Sequence, residues 1–280
     1  MIFRKVSIIG VGLIGGSIGE ALKKKRLAKE IIGVGHRTSS IKEALKRGAI
    51  DKGTLKAVKG VEGADLVIIA TRVGLIPGFG RMIGKTLKKG CVVTDVGSTK
   101  AGIVGLMEKS IPCGAAFVGS HPMTGSEKRG IKSAKEDLFK GSTVIMTKSK
   151  KTDTVAVKKL ERFWKSLGVS RVAVRSPEKH DRIVAEISHL PHIVVAALIN
   201  SASGESLGFA STGFKDTTRI AASDPDIWRD ICMTNRKEIL RALDNYGRNL
   251  SRIRKLIKEG SGAGLCREFG KSKARRKSLS

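Results

Sequence analysis

The stretch VSIIGVGLIGGSIGEAL, Val6 to Leu22, limits what this chain can fold into more than any other. A short β-branched run leads into Gly10-x-Gly12-x-x-Gly15, and a helix-compatible segment follows at once from Leu13 to about Lys25. Glycines at this spacing permit a tight turn and a close approach of backbone to a pyrophosphate, which the helix N-terminus then stabilises. A lone glycine pattern is weak among 33 glycines, but strand, loop and helix in that order give it meaning. Gly10, Gly12, Leu13, Ile14 and Gly15 are therefore expected to line a dinucleotide site.

The rest of the first part keeps the same rhythm. EIIGVG, ADLVIIAT, CVVTDVGS, AFVGSHPM, STVIMT and RVAVRS read as strands, with helical segments between most of them. Such alternation predicts an α/β fold, a Rossmann-type dinucleotide-binding domain with a parallel sheet covered by helices on both faces. After SPEKHD no strand-like run recurs and helical periodicity takes over. Ser176 is placed to cap a helix opened by Pro177, with Pro191 expected to kink it. Asp224 caps a later helix that carries Pro225 and Asp226 in its first turn. Ile239, Leu243, Tyr246, Leu250, Ile253 and Ile257 then recur every three or four residues, a stripe fit for a domain core or a dimer seam. The expected organisation is a dinucleotide-binding domain over 1–175, an all-helical substrate and dimerisation domain over 176–265, and a basic, disordered tail over 266–280.

The second strand ends near Gly35, about 20 residues beyond the glycine loop, where an acidic residue would mark NAD. The chain offers His36, Arg37, Thr38, Ser39 and Ser40 instead. Arg37 cannot accept a bond from a ribose hydroxyl, but it can bind a 2′-phosphate, and the hydroxyls beside it suit the same anion. NADP is therefore favoured over NAD. The formal net charge of +29 invites a nucleic-acid reading, yet the basic residues are spread along the chain and aromatics are only 4%. Little is left to stack on bases, so nucleic acid is not expected as the main partner. Four scattered cysteines fit neither a zinc site nor a disulfide framework. No secretory leader and no stretch of bilayer-spanning length are read, and a cytoplasmic protein without a membrane partner is expected.

Three motifs carry the chemistry: TDVGSTK from Thr94 to Lys100, GSHPMTGSEKRG from Gly119 to Gly130, and SHLPH from Ser188 to His192. The first two sit at carboxyl ends of predicted strands, where ligands bind in open α/β sheets, which gathers Ser98, Lys100 and His121 around one crevice. His121 has the titration range of a base near neutral pH, and Ser98 is placed to hold it or the substrate. His189 and His192 form an H-x-x-H pair without a third ligand at useful spacing, so no metal is expected.

Together with GVGLIGGS, ADLVIIAT, HDRIVAEISHLPH and GFKDTTRIAASDPDIWRD, these motifs resemble the prephenate/arogenate dehydrogenase family of tyrosine biosynthesis across nearly the whole chain. The resemblance implies NAD(P)-dependent oxidation of a cyclohexadienol with loss of CO2, giving 4-hydroxyphenylpyruvate or tyrosine. It implies that His121 takes the ring hydroxyl proton while Ser98 bonds to that hydroxyl and to His121. It places Lys100 beside the nicotinamide, with Thr71 on the cofactor side, and gives Arg219 the substrate carboxylate, for which a guanidinium fork is suited. His192 and Ser188 would meet the side-chain end of the substrate, and Glu127 and Trp228 would shape the pocket of a homodimer. Arg72 stands where the family commonly has proline. The rival readings are another two-domain NADP-linked dehydrogenase of the β-hydroxyacid type and a basic, non-catalytic nucleotide-binding protein. The first places a lysine base on the interdomain helix, where this chain has HIVVAALIN.

Overall fold

The computed structural model describes residues 2–124 and 130–279. Eight strands form one sheet: β1 (Phe3–Ile9), β2 (Ala28–Val34), β3 (Lys52–Thr54), β4 (Leu66–Ile69), β5 (Val92–Asp95), β6 (Ala116–Pro122), β7 (Thr143–Thr147) and β8 (Arg171–Arg175). Their order is β3-β2-β1-β4-β5-β6-β7-β8. The first six run parallel in the 3-2-1-4-5-6 order of a doubly wound dinucleotide-binding sheet. The order reverses between β1 and β4, which opens a crevice at their carboxyl ends.

Two details depart from the expected parallel sheet. The three-residue β3 is too short to carry a periodic signal of its own. Strand β7 pairs antiparallel with β6, His121 facing Ile145, and β8 then runs parallel to β7. A parallel return needs a long crossover, usually helical. Only one short 3₁₀ turn, Ile131–Ser133, lies between β6 and β7 among the described residues, whereas the helix Thr154–Ser166 links β7 to β8.

Both sheet faces are covered. Successive residues of β1 go to opposite sides, Ile8 into a core with Ile18, Leu22 and Trp164, Ile9 into one with Val67, Val93 and Met107. Double-sided burial is why these strands read as unbroken apolar runs. Fully buried Trp164 donates from Nε1 to Ser120 Oγ at 3.1 Å, and Ser120 Oγ lies 2.9 Å from Thr94 Oγ1. This small polar chain locks β5 to β6 one residue before His121.

Beyond β8 the chain is helical. Ser176 Oγ accepts the Lys179 N–H at 3.2 Å, and one continuous helix follows from Pro177 to Ser201. Pro191 lacks an N–H and its ring crowds the carbonyl four residues earlier. A π turn at Ala185–His189, just ahead of Pro191, takes up that misfit. At 25 residues this helix is long and apolar enough to cross a bilayer, which corrects the reading that no stretch of such length exists. Its polar residues His180, Asp181 and His189 are buried against other parts of the protein, while Ile187 faces outward.

Asp224 caps the next helix, Pro225–Thr234, through the N–H groups of Asp226 at 2.7 Å and Ile227 at 3.3 Å. That helix ends at Asn235, and a second one, Arg236–Lys258, carries the apolar stripe. Two helices thus stand where one was read. The stripe divides as well: Ile239 and Leu243 join a small core with Leu190, whereas Leu250 and Ile257 are exposed. The tail expected to be disordered is instead the second half of a helix, Gly262–Lys277, seated where Gly264 abuts Leu256. Its basic composition described solvation and did not describe that anchor.

Candidate active site

The glycine loop leaves β1 at the reversal point and enters the helix α1 (Leu13–Lys24). Gly10 has φ +98°, and a Cβ there would lie 2.4 Å from the Ala70 carbonyl oxygen at the end of β4. At Gly15 a Cβ would lie 2.0 Å from the Gly10 carbonyl oxygen, so only glycine lets α1 sit so close to the strand. Gly12 differs: a Cβ there would meet nothing within 4 Å. Its missing side chain therefore serves space in front of α1, not packing. No acidic residue occupies the first turn of α1, and no side chain caps it, so the positive helix end faces that space. These residues fit a dinucleotide pyrophosphate, with Leu13 and Ile14 in the first turn. Thr71 stands beside the loop, its Cγ2 3.2 Å from where a Gly10 Cβ would be.

At the end of β2, Gly35 bonds through its N–H to Thr54 O at 3.1 Å, and Arg37 is the N-cap of the helix α2 (Thr38–Lys46). His36, Arg37, Thr38 and Ser39 are all exposed. The first turn of α2 also lacks both an acidic residue and a side-chain cap.

The turn after β5 holds a buried ion pair. Lys100 Nζ lies 2.6 Å from Asp95 Oδ2, 2.7 Å from Gly97 O and 3.2 Å from Thr99 O, with both side chains at 0% exposure. All three ammonium donors are committed within the turn. Lys100 is thus a staple for the loop that carries Ser98. Burial lowers the Lys100 pKa and raises that of Asp95, and their contact opposes both shifts.

His121, on β6, does not meet Ser98 in the way expected. Its Nδ1 lies 2.9 Å from His180 Nε2, and His180 Nδ1 lies 2.8 Å from Asp181 Oδ1. Asp181 also accepts the N–H groups of Lys100 at 2.7 Å and Ala101 at 2.9 Å, at the start of the helix Ala101–Ser110. Asn235 Nδ2 donates to Asp181 O at 2.8 Å and lies 3.1 Å from His189 Nδ1. The Ser98 backbone favours the protonated form of His189 against its burial, and His189 Nε2 makes no well-formed hydrogen bond to the described residues. Burial, then the neighbouring His180, Lys100 and His189, hold His121 well below the usual imidazole range. Burial likewise pushes His180 down to about 2 and His189 to about 4. The imidazoles are therefore neutral at pH 7, with lone pairs available.

Further along the interdomain helix, His192 stacks on Trp228 with ring centroids 3.6 Å apart, and His189 meets the same indole edge-on at 6.1 Å. His192 Nδ1 donates to Ser188 O at 3.0 Å, so the backbone of Ser188, not its hydroxyl, fixes this ring. Burial lowers the His192 pKa, and the charge of Arg219 lowers it further, which brings exposed Arg219 into the same neighbourhood. Arg72 pairs with Asp226 at 3.4 Å and so points toward the helical part. Glu127 lies outside the described residues. No group of three metal-ligating side chains occurs among the described residues. His180, Asp181 and Asn235 were not singled out from sequence, because their partners lie 46 to 81 positions away and no local spacing announces them.

Comparison with known proteins gives the family. Residues 18–173 match the nucleotide-binding domain of prephenate dehydrogenase, and residues 176–271 match the family's dimerization domain. The chain belongs to the prephenate/arogenate dehydrogenase family. Its reaction is NAD(P)-dependent oxidative decarboxylation of prephenate or arogenate toward tyrosine. A prephenate dehydrogenase of Bacillus subtilis is 38% identical over 98% of this chain and 76% of its own length. The structure resembles that of prephenate dehydrogenase from A. aeolicus in complex with hydroxyphenyl propionate and NAD+, with TM-score 0.91, 33% identity and coverage of 99% and 98%. It also resembles Synechocystis arogenate dehydrogenase, with TM-score 0.85, 28% identity and coverage of 99% and 100%.

The contrast between the glycines is testable. Gly12→Ala is expected to leave the melting temperature near wild type while weakening NAD(P) binding about tenfold or more in a fluorescence titration. Gly15→Ala is expected to lower stability by about 1–3 kcal/mol, because its Cβ collides with backbone. Equal melting temperatures for both variants would contradict the assignment of separate roles.

Proposed function

We propose that His121 is the general base of this dehydrogenase, that NADP is its preferred cofactor, and that it works as a homodimer. The observation that carries the first point is a buried, neutral imidazole on β6, at the same sheet edge as the glycine loop and the Thr94–Lys100 turn. When bound there, the oxidised nicotinamide supplies a hydride acceptor. His121 Nε2 takes the proton of the ring hydroxyl as that carbon becomes a carbonyl, and Ser98 orients the hydroxyl. Loss of CO2 and aromatisation make the step irreversible, so the protein need only position, deprotonate and hold the anion. Arg219 holds a substrate carboxylate near His192, and Ser188 and Trp228 set the orientation of that histidine.

The preference for NADP rests on Arg37 at the N-cap of α2 and on the absence of an acid at the end of β2. A guanidinium beside an uncapped helix N-terminus favours the extra phosphate over a free ribose hydroxyl. The homodimer rests on the dimerization-domain match and on exposed Ile187, Leu250 and Ile257 in the helical part. Prephenate and arogenate differ by a keto against an amino group, and both remain within this proposal.

Two experiments decide these points. Purified protein is mixed with prephenate or arogenate and with NAD+ or NADP+, and nicotinamide absorbance is followed. Turnover is expected in at least one combination and a loss of about 10²–10⁴-fold in His121→Asn, with cofactor affinity retained; an unimpaired His121→Asn would overturn the base assignment. Arg37→Asp is expected to raise the KM for NADP far more than that for NAD, and equal effects would overturn the cofactor preference.

A further inference from the structure

His121 comes from the sheet, but the group that holds its Nδ1 comes from the interdomain helix. We propose that His180 and Asp181 are positioning residues which, through two imidazoles in series, fix the tautomer of His121 and hold its Nε2 lone pair toward the ring hydroxyl. The inference rests on the reading of His121 as the base and adds to it the device that makes it one.

The hydrogen bonds settle the order of protons along the chain. Asp181 accepts N–H bonds from Lys100 and Ala101 at the start of a helix, so its oxygens act as acceptors there. Burial pushes the Asp181 carboxyl up, and those two backbone donors pull it back down. An accepting Asp181 requires His180 Nδ1 to carry the hydrogen in the 2.8 Å contact. Neutral His180 then has its lone pair on Nε2, and this lone pair can only accept from His121 Nδ1 at 2.9 Å. His121 is left with its lone pair on Nε2. A hydroxyl proton taken there forms one N–H bond as the O–H bond breaks, and its electron pair passes to the new carbonyl. The Nδ1–H meanwhile stays directed at His180, and the positive charge is drawn toward Asp181.

No other described charge can take that part. The groups facing His121 are His180 and His189 on the interdomain helix and Lys100 on the turn after β5, and each disfavours a proton on His121. Asp95 is committed to Lys100 and Gly97. Asp181 is the carboxylate joined to His121 by hydrogen bonds, and Asn235, at the break between Pro225–Thr234 and Arg236–Lys258, fixes its backbone carbonyl.

The test compares Asp181→Asn and His180→Gln with His121→Asn in the full-length protein, over the pH range of kcat/KM. Asp181→Asn keeps the shape but lets an amide donate, which admits the wrong tautomer; a comparable error in a catalytic triad costs about 10⁴-fold in kcat. The expected result is a fall in kcat of about 10²-fold or more, with the KM for substrate and cofactor within about threefold. The acid limb of the profile should move down by about one pH unit, since a buried imidazolium loses its counter-charge. His180→Gln, whose oxygen can accept at the same reach and which leaves Asp181 charged, should retain more kcat than His180→Phe and keep its acid limb closer to wild type than Asp181→Asn does. Unchanged cofactor affinity and melting temperature identify folded variants. Wild-type kcat and an unmoved acid limb in Asp181→Asn, or equal kcat in His180→Gln and His180→Phe, would overturn the inference. If His121→Asn still fails, the base assignment stands without the relay; if His121→Asn is fully active, both fall.

Discussion

The carboxylate of Asp181 ties the interdomain helix to the end of β5 and, through His180, to β6. It lies in the second turn of the interdomain helix, accepts backbone donors at the head of the helix after β5, and orients a histidine that reaches the end of β6. Each of these is a charge-assisted bond in a buried setting, where a broken partnership leaves a costly unpaired group. The helical part and the dinucleotide-binding part therefore meet through the hydrogen bonds around His121, the proposed base. A second layer repeats the idea, with Asn235 tying the Asp181 backbone to His189 and the helix break at Asn235 freeing its side chain to do so.

Around that junction the sheet supplies position and the glycines supply access. Gly12 keeps the space before α1 open, while Gly10 and Gly15 let strand and helix approach. The Lys100–Asp95 pair shapes the turn that carries Ser98. Burial also explains why three histidines cluster without charge: their protonation is disfavoured, so none repels the next at neutral pH.

Local signals were legible from sequence and long-range pairings were not. The glycine loop, the Ser176 and Asp224 caps and the change from strand to helix at 175–177 depend on residues a few positions apart, and the structure has each of them. The antiparallel β7 was missed because strand direction depends on the connection rather than on the strand's own pattern. The burial of Lys100 was not legible, because composition does not reveal that a lysine lies fully enclosed with all three donors taken. The helical tail was missed because its basic residues mask the small contact at Gly264 that seats it. His180 was passed over although the HDRIVAEISHLPH stretch contains it, since its meaning depends on His121, 59 residues earlier.

The central claim is that His121 Nε2 meets the hydroxyl of the ring being oxidised. A crystal structure of the protein with NADP+ and a hydroxyphenyl product analogue tests this most directly. The account predicts the ring oxygen about 2.6–3.2 Å from His121 Nε2, with His121 Nδ1 still on His180. A ring oxygen held elsewhere, with His121 Nε2 bonded only to protein, would contradict it.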